Sequence, residues 1–526
     1  MAKRKTAKKK EKSFEETLWD AANKLRGSVE SSEYKHIVLS LIFLKFISDT
    51  FEKQRQKLID AGLEKHIDMI PAYTKDNVFY LPEESRWSFV QQNAKQEDIA
   101  LKVDTALSTI EKTNRTLRGA LPDNYFSRLG LDASKLSALI DVVNNIDTLA
   151  NPEEDTVGRV YEYFLGKFAA NEGKNGGEFY TPKCVVNLIA EMIEPYQGKI
   201  YDPCCGSGGM FVQSIKFVQS HHGNTKDISI YGQENTSTTY KLAKMNLAIR
   251  GITSNLGEVA GDSFFKDQHE QLKADFIMAN PPFNQKEWRG KDELVDDHRW
   301  DGYETPPTGN ANYAWILHMI SKLSEHGTAG FVLANGSMST STKGEGTIRQ
   351  QIIDNDLVDC MIALPGQLFY TTQIPVCLWF ISRDKKAESP ASQKQGFRDR
   401  QGETLFIDAR NIGSMIDRTH KELSADDIAA IAKTYHAWRG EAEAGGYEAY
   451  EDEAGYCKSA SLKEIQANDY VLTPGRYVGA APVEDDGIPF ETKMTELSQA
   501  LYVQMQEADK LDEVIRKNLE VLGYGE

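Results

Sequence analysis

The sequence is poor in cysteine, and no cysteine or histidine spacing in it resembles a zinc site. Six cysteines in 526 residues, two of them adjacent, do not indicate a disulfide framework. The chain is long enough for a large hydrophobic core and for roughly two to four domains.

Long apolar runs are also missing. The longest, Ile37 to Ile47, contains Ser40 and Lys45 and is too short to cross a bilayer. The basic N-terminus is not followed by the apolar segment of a signal peptide. We therefore expect a cytoplasmic bacterial or archaeal protein without a membrane partner. The pattern G-x-x-x-x-G-K-[ST] is absent as well, which excludes ATP-driven translocation by this chain.

The sequence also lacks an excess of positive charge, because its net charge is −17. Proteins that bind DNA without a partner usually carry a patch of basic residues on their surface. Either the basic residues cluster on one face, or another subunit supplies most phosphate contacts. The N-terminal tail, 1–12, contains seven Lys or Arg. It is predicted to be disordered, and a DNA-touching arm and a solubilising tail fit it equally.

The most informative motif that is present follows the apolar stretch 275–279. It is Asn280-Pro281-Pro282-Phe283. Two prolines stop the strand and force a turn. The Asn280 amide and the Pro281 carbonyl can accept both hydrogens of an exocyclic amino group, and Phe283 can stack on a base. This indicates methylation of an adenine amino nitrogen after the base leaves the helix. A Pro-rich turn after a core strand is the alternative.

A Gly-rich turn follows an earlier predicted strand, 199–202, and precedes an apolar helix pattern. Such a turn brings backbone N–H groups close to a ligand. The NAD fingerprint G-x-G-x-x-G is not met. Asp202 would repel pyrophosphate, but it suits a cationic ligand such as the amino group and sulfonium of S-adenosylmethionine.

Two more acids follow short strands. Glu234 lies about one strand–helix–strand unit after Asp202, where an acid binds ribose hydroxyls in doubly wound folds. Asp262 could accept from the cofactor's adenine amino group, with Phe264 and Phe265 lining its ring. The alternatives are a solvated strand-end glutamate and ordinary core phenylalanines.

Upstream, Thr181 is predicted to be a helix N-cap with Pro182 at the first helical position. This helix start could hold the carboxylate at the methionine end of the cofactor, or it could be structural only.

These motifs resemble, in composition and order, the amino-methylating DNA methyltransferases of the gamma arrangement. They are Gly-Glu-Phe-Tyr-Thr-Pro, Asp-Pro-x-x-Gly-Ser-Gly-Gly, Gly-Gln-Glu, Gly-Asp-Ser and Asn-Pro-Pro-Phe. The closest resemblance is to the modification subunits of type I restriction–modification systems, over nearly the whole chain. The stretches 158–164, 364–369 and 472–478 are also similar to that family. Cys204-Cys205 departs from the family, which often has Ala and a small residue there, but both cysteines are small enough for the loop.

The resemblance implies an α/β fold: a Rossmann-like S-adenosylmethionine-dependent methyltransferase sheet with a helical N-terminal domain and a C-terminal helix. It implies transfer of a methyl group to N6 of a flipped adenine, without a covalent enzyme intermediate and without a metal. The implied residues for the flipped adenine are Asn280, Pro281, Pro282 and Phe283. The implied cofactor-binding residues are Glu178, Phe179, Tyr180, Thr181, Pro182, Lys183, Asp202, Gly206, Ser207, Gly208, Gly209, Glu234 and Asp262.

Composition and periodicity divide the chain further. The predicted segments are a basic tail 1–12, a helical domain 13–170, a methyltransferase domain 171–410, a C-terminal extension 411–488 and an amphipathic helix 489–526. The polar segment 284–312 is predicted to order over the flipped base or DNA. An ordinary long insertion is the alternative.

Because little chain remains to read a DNA sequence, site choice is predicted to lie with a specificity subunit. The amphipathic helix is expected to dock on that subunit, although packing onto its own domain is the alternative. The expected partners are double-stranded DNA, the specificity subunit, a second copy of this chain in a two-to-one complex and a restriction subunit.

Other interpretations remain. One is a stand-alone adenine methyltransferase that reads DNA itself, and another is a non-catalytic scaffold that kept the fold. An NAD-dependent oxidoreductase leaves the Asn-Pro-Pro-Phe turn unexplained. Methylation of a protein glutamine also uses an Asn-Pro-Pro turn, usually followed by Tyr, but the N-terminal domain and C-terminal helix disfavour it.

Overall fold

The computed structural model describes residues 19, 23, 31–149, 163, 181–342, 344–369, 374–387, 397–440, 449–480 and 490–523. The chain forms two compact units, Met1–Gly479 and Ala480–Glu526. All six cysteines are free thiols. Within the described ranges, each helix is either too short or too polar to span a lipid bilayer.

The helices are numbered here in chain order. They are α1 Ser31–Asp60, α2 Pro71–Thr74, α3 Trp87–Gln92, α4 Ile99–Thr113, α5 Tyr125–Arg128, α6 Ala133–Asn144, α7 Lys183–Ile193, α8 Gly209–Ser220, α9 Ser237–Ile249, α10 Asn312–Lys322, α11 Glu345–Asp354, α12 Ala425–Arg439, α13 Leu462–Ala467 and α14 Phe490–Val521.

The strands are β1 Gly198–Asp202, β2 Ile228–Gly232, β3 Ser254–Asn255, β4 Ala274–Ala279, β5 Leu323–Ala334, β6 Val358–Ala363, β7 Val376–Ser382, β8 Glu403–Asp408, β9 Ser414–Met415, β10 Lys421–Glu422 and β11 Cys457–Ser461.

Helices α1 to α6 form the predicted helical N-terminal region around one hydrophobic core. Phe43 of α1, Leu107 of α4 and Ile140 of α6 are fully buried in it. Leu242 and Met245 of α9 join the same core, so this region packs directly against the sheet-bearing part of the chain. The apolar faces of these helices therefore stabilise both the N-terminal region and its packing against the part of the chain that carries the sheet.

Nine strands of the described chain form one sheet, in the order β11-β8-β6-β7-β5-β4-β1-β2-β3. Strands β3, β2, β1, β4 and β5 are parallel, and β7 inserts antiparallel between β5 and β6. The intervening helices are the crossovers that parallel strands require. Every residue of β6 and β7 is buried, as expected for strands covered on both faces. The predicted α/β class, with its helical N-terminal region and C-terminal helix, is confirmed.

The sheet extends beyond residue 410, where the methyltransferase domain was predicted to end. Strand β11 lies in the predicted C-terminal extension and pairs antiparallel with β8. The domain boundaries themselves stay a prediction.

The second unit contains α14, a single helix of 32 residues. Large apolar side chains recur on one face of this predicted amphipathic helix every three or four residues. They are exposed: Met494, Leu497, Leu501, Met505, Leu511, Ile515 and Leu519. An exposed apolar stripe of this length is typical of a helix that packs on a partner.

Candidate active site

Three neighbouring parallel strands end at one edge of the sheet, and each ends at or near a predicted site residue. Strand β1 ends at Asp202, β2 is followed by Glu234, and β4 is followed by Asn280. The order β2-β1-β4 places Asp202 between the other two residues. The chain leaves β1 toward β2 and later returns on its other side to β4. Open α/β sheets bind their ligands at such a switch point.

The glycine turn after β1 is built from backbone hydrogen bonds. The Cys205 amide donates to the Gln233 carbonyl over 2.9 Å, and the Gly208 amide donates to the Cys205 carbonyl over 2.8 Å. Gly206 and Gly208 have positive φ of 53° and 81°, which favours glycine. A Cβ at Gly206 or Gly209 would meet nothing within 4 Å, so the space beside the turn is open.

Asp202 is 1% exposed at the base of this turn. Its Oδ1 accepts from the Cys204 amide over 3.0 Å. The pKa of Asp202 is raised to about 7, chiefly by burial. The hydrogen bonds from Cys204 oppose this rise, and the charge of Glu234 adds to it. A carboxylate held this way is stabilised when a cation binds beside it.

Glu234 joins the end of β2 to the glycine turn. Its Oε2 accepts from the Gly206 amide over 3.1 Å, and its Oε1 accepts from the Thr236 amide over 2.7 Å. The side chain is half-buried, so a ligand lying on the turn can reach it.

Gln233 attaches the next loop, 261–266, to the same site. Its fully buried side chain donates from Nε2 to the carbonyls of Gly261, over 3.0 Å, and Lys266, over 2.8 Å. The Gly261 amide also donates to the Glu234 carbonyl over 2.9 Å. The loop that carries Asp262 therefore lies beside Glu234.

Within this loop, Asp262 stabilises its own turn. Its Oδ1 accepts from the Phe264 amide over 2.7 Å. The two phenylalanines take different roles. Phe264 is buried, with ring centroids 4.6 Å from Trp288 and 4.3 Å from Trp315, so it belongs to the core. Phe265 is 49% exposed and remains available to a ligand.

Asn280 presents a polar group that the described residues leave unsatisfied. Its Nδ2 donates to the Thr181 hydroxyl oxygen over 2.9 Å, whereas its buried Oδ1 has no hydrogen-bond partner among the described residues. Phe283 is half-buried and contacts Phe369 edge-to-face, with ring centroids 5.8 Å apart. A buried acceptor without a donor carries a free-energy penalty that a bound amino group would relieve.

The predicted capping role of Thr181 is wrong. Helix α7 begins at Lys183, and the N-cap position is taken by Pro182 without a side-chain cap. The physical reason is tertiary, because the Thr181 hydroxyl accepts from the Asn280 amide instead of from the helix. Pro182 is buried and Lys183 is exposed.

Several side chains of the segment 284–312 are held against the rest of the protein. Trp288 and Trp300 are 5% and 3% exposed within the core. At the ends of the segment, the amide of Asn284 donates to Asn312 Oδ1 over 3.0 Å and Asn312 Nδ2 donates to Asn284 Oδ1 over 2.9 Å. That this segment orders over the flipped base or DNA stays a prediction.

Two family models match this chain. Residues 152–486 match the N-6 DNA methylase model, and residues 14–146 match the HsdM N-terminal domain. The HindI methylase subunit of a type I restriction enzyme from Haemophilus influenzae is 47% identical over 465 residues, which cover 84% of this chain and 100% of the relative. This chain belongs to the methylase subunits of type I restriction enzymes.

Another relative belongs to the same group of methylase subunits, and two solved structures share the fold. The MjaIX methylase subunit from Methanocaldococcus jannaschii is 38% identical, over 97% of this chain and 92% of its own. The methyltransferase subunit of a type I restriction–modification system from Streptococcus thermophilus has the same fold, with a TM-score of 0.72 at 22% identity over 88% of this chain and 99% of its own. A Vibrio vulnificus modification subunit of a putative type I restriction enzyme gives 0.60 at 17% identity, over 87% and 94%.

For this methylase subunit, the structure brings most predicted site residues to one edge of the sheet. Glu178, Phe179 and Tyr180 lie outside the described residues. No cluster of potential metal ligands occurs in the described ranges.

Sequence reasoning missed two supporting residues. Gln233 stands inside the Gly-Gln-Glu motif, and its position between the end of β2 and Glu234 was the signal that could have identified its role. Phe369 ends a stretch noted only for its family resemblance, and its contact with Phe283 is visible only in the fold.

Proposed function

We propose that this methylase subunit transfers the methyl group of S-adenosylmethionine to N6 of an adenine flipped out of double-stranded DNA. In this proposal a separate specificity subunit selects the site. The observation that carries the proposal is Asn280, which follows β4 and whose buried Oδ1 has no hydrogen-bond donor within the described part of the chain. An adenine amino group supplies such a donor, and the base must leave the helix to reach it.

The residues around the turn fit the cofactor. The buried Asp202 carboxylate favours a cationic group. The space beside Gly206 and Gly209 admits a ligand close to the backbone. Glu234 can accept from ribose hydroxyls, and Asp262 from the adenine amino group of the cofactor.

S-adenosylmethionine, when bound, supplies an electrophilic methyl group. Asn280 Oδ1 and the Pro281 carbonyl would accept the two N6 hydrogens of the target adenine. This keeps the lone pair on the nitrogen and available for bond formation. Phe283 would stack on the flipped base, supported from the side by Phe369.

The remaining predicted cofactor contacts follow the family resemblance. The methionine end would be surrounded by Glu178, Phe179, Tyr180, Thr181, Pro182 and Lys183. Within the glycine turn, the further contacts would come from Ser207 and Gly208. Thr181 would also orient the Asn280 amide, which links the cofactor side of the site to the base side.

The partner assignments rest on two observations. The net charge of −17 favours phosphate contacts supplied by another subunit. The exposed apolar stripe of α14 favours docking on helices of a specificity subunit. We propose two copies of this chain on one specificity subunit, with a restriction subunit joining them for cleavage.

Transfer of labelled methyl groups tests the function. The chain would be incubated with labelled S-adenosylmethionine and DNA, alone and with the specificity subunit encoded beside it. N6-methyladenine that forms at defined sites only with the partner supports the proposal. Site-specific labelling by the chain alone would place sequence reading in this chain, and the absence of labelled adenine in both cases would contradict the proposed reaction.

A further inference from the structure

Arg299 is a buried arginine whose five N–H groups are all used. The side chain is 5% exposed. Its Nε and Nη2 donate to the two carboxylate oxygens of Asp297 over 2.7 and 2.6 Å. Its Nη1 donates to the Ser263 carbonyl over 3.0 Å and contacts His318 Nδ1 at 3.2 Å, and its Nη2 donates to the Phe264 carbonyl over 2.7 Å. Only a guanidinium offers five donors in this fixed arrangement.

The partners of Arg299 come from two parts of the site. Ser263 and Phe264 belong to the loop 261–266, which carries Asp262 and is attached to Gln233. Asp297 belongs to the segment 284–312, which directly follows the Asn-Pro-Pro-Phe turn. The guanidinium also lies over the rings of Phe264 and Trp300, at 5.7 and 5.2 Å from their centroids. One side chain therefore joins both parts.

His318 extends this connection to strand β1. Burial, followed by the nearby Arg299 charge, lowers the pKa of His318 to about 3, so the ring is neutral. Nδ1 accepts from Arg299, which places the hydrogen on Nε2, 3.2 Å from the Tyr201 hydroxyl. Tyr201 immediately precedes Asp202 at the end of β1.

We propose that Arg299 is a positioning residue that fixes the loop 261–266 against the segment 284–312. In this way it couples cofactor binding to the part of the chain that follows the base-binding turn. The inference rests on the proposed function only in assigning the loop 261–266 to the cofactor. Arg299 itself contacts neither the cofactor nor the base in this assignment, because it acts through the Ser263 and Phe264 carbonyls.

The chain offers a matched control in Arg289, which lies in the same segment. Its guanidinium donates to backbone carbonyls within 284–312, among them Gly290, over 3.0 Å, and Pro306, over 2.8 Å. It lies 5.4 Å from the Trp288 ring centroid. Its described hydrogen bonds stay within the segment, so Arg289→Lys tests a carbonyl-binding arginine that is separate from the loop 261–266.

The experiment compares Arg299→Lys, Arg289→Lys and the unmodified chain in the assembled complex. Lysine keeps the charge but supplies three donors, so it cannot satisfy all partners of Arg299. We expect faster amide hydrogen exchange in a peptide covering 261–266 for Arg299→Lys only. We also expect the KM for S-adenosylmethionine to rise by roughly tenfold or more, while kcat at saturating cofactor changes much less.

Two readouts separate this inference from the proposed function. Unchanged exchange in 261–266, or an equal increase in both variants, would overturn the positioning role. A complex that never binds S-adenosylmethionine would contradict the proposed function, while the exchange data would still decide whether Arg299 fixes the loop. If Arg299→Lys does not fold, Asp297→Asn weakens the same guanidinium site and should give a smaller change of the same kind. An unchanged loop in that variant would overturn the inference.

Discussion

The side chain of Asn280 and the hydroxyl of Thr181 are joined by a hydrogen bond of 2.9 Å, although 99 residues separate them along the chain. Asn280 follows strand β4, and Thr181 precedes α7. The bond fixes which side of the amide faces away from Thr181, and this leaves Oδ1 as an acceptor without a hydrogen-bond partner among the described residues. The base side and the helix side of the site are therefore connected directly.

Asn280→Ala is expected to abolish methyl transfer while largely sparing cofactor binding. The substitution removes the amide that would accept from the adenine amino group, and Asp202 and Glu234 remain in place. Methyl transfer would be measured with labelled cofactor, and cofactor affinity by calorimetry. Equal loss of both would mean that Asn280 has a structural role.

Thr181→Val is expected to lower kcat by roughly tenfold, as the loss of one orienting hydrogen bond in the site implies. Valine has nearly the same shape but cannot accept from Asn280 Nδ2, so the amide loses its fixed orientation. Thr181→Ser retains the hydroxyl and serves as the control. A serine variant as impaired as the valine variant would show that loss of the hydrogen bond alone does not explain the effect, and an unimpaired valine variant would remove the orienting role of Thr181.

The fold was predictable where a local pattern decides it. The predicted strand 199–202 lies in β1, and the apolar stretch 275–279 lies in β4, because a short apolar run bounded by turn residues has few alternatives. The contribution of β11 was not predicted, because its sequence, Cys-Lys-Ser-Ala-Ser, has little apolar character and gains its place by pairing with β8.

The site was predictable as a set of strand ends but not as a set of contacts. Asp202, Glu234 and Asn280 each follow a recognisable strand, so their meeting at one edge follows from a parallel sheet. The partners of Thr181 and Arg299 come from distant parts of the chain. Local rules assigned Thr181 to a helix cap, which its contact with Asn280 overrode, and they could not show the buried contacts of Arg299.

Asp202→Asn is expected to stabilise the cofactor-free protein at neutral to basic pH and to impair cofactor binding. The folded-state pKa of about 7 lies above the ordinary value of 3.8, so the folded protein holds this proton more tightly than the unfolded chain. Stability from this group is therefore greatest below pH ~4 and falls as pH rises to about 7. At about 1.4 kcal/mol for each pKa unit, ionisation of Asp202 above pH 7 lowers the free energy of unfolding by on the order of 4 kcal/mol.

Urea unfolding of both proteins across this pH range tests the prediction. The stability advantage of Asp202→Asn should grow as pH rises toward 7 and then level off. A difference that does not vary with pH would show that Asp202 does not titrate as its burial implies. Cofactor affinity, measured on the same samples, should be weaker for the variant.

Phe283→Ala should impair methyl transfer more than Phe283→Trp. Tryptophan keeps an aromatic face for the flipped base, whereas alanine removes both the stacking surface and the contact with Phe369. Single-turnover rates and DNA affinity would be compared between the two variants. The opposite order of activities would remove the stacking argument for this residue.

Leu501→Glu in α14 is expected to weaken assembly with the specificity subunit by roughly tenfold or more, because it places a charge in the centre of the apolar stripe. Val503→Glu is the matched control: Val503 is also exposed, but it lies on the opposite face of the helix. Complex formation would be measured by analytical ultracentrifugation, and cofactor affinity by calorimetry. Cofactor affinity should be unchanged in both variants, since α14 belongs to a separate compact unit. Equal weakening of assembly by the two substitutions would show that the stripe is not the docking surface.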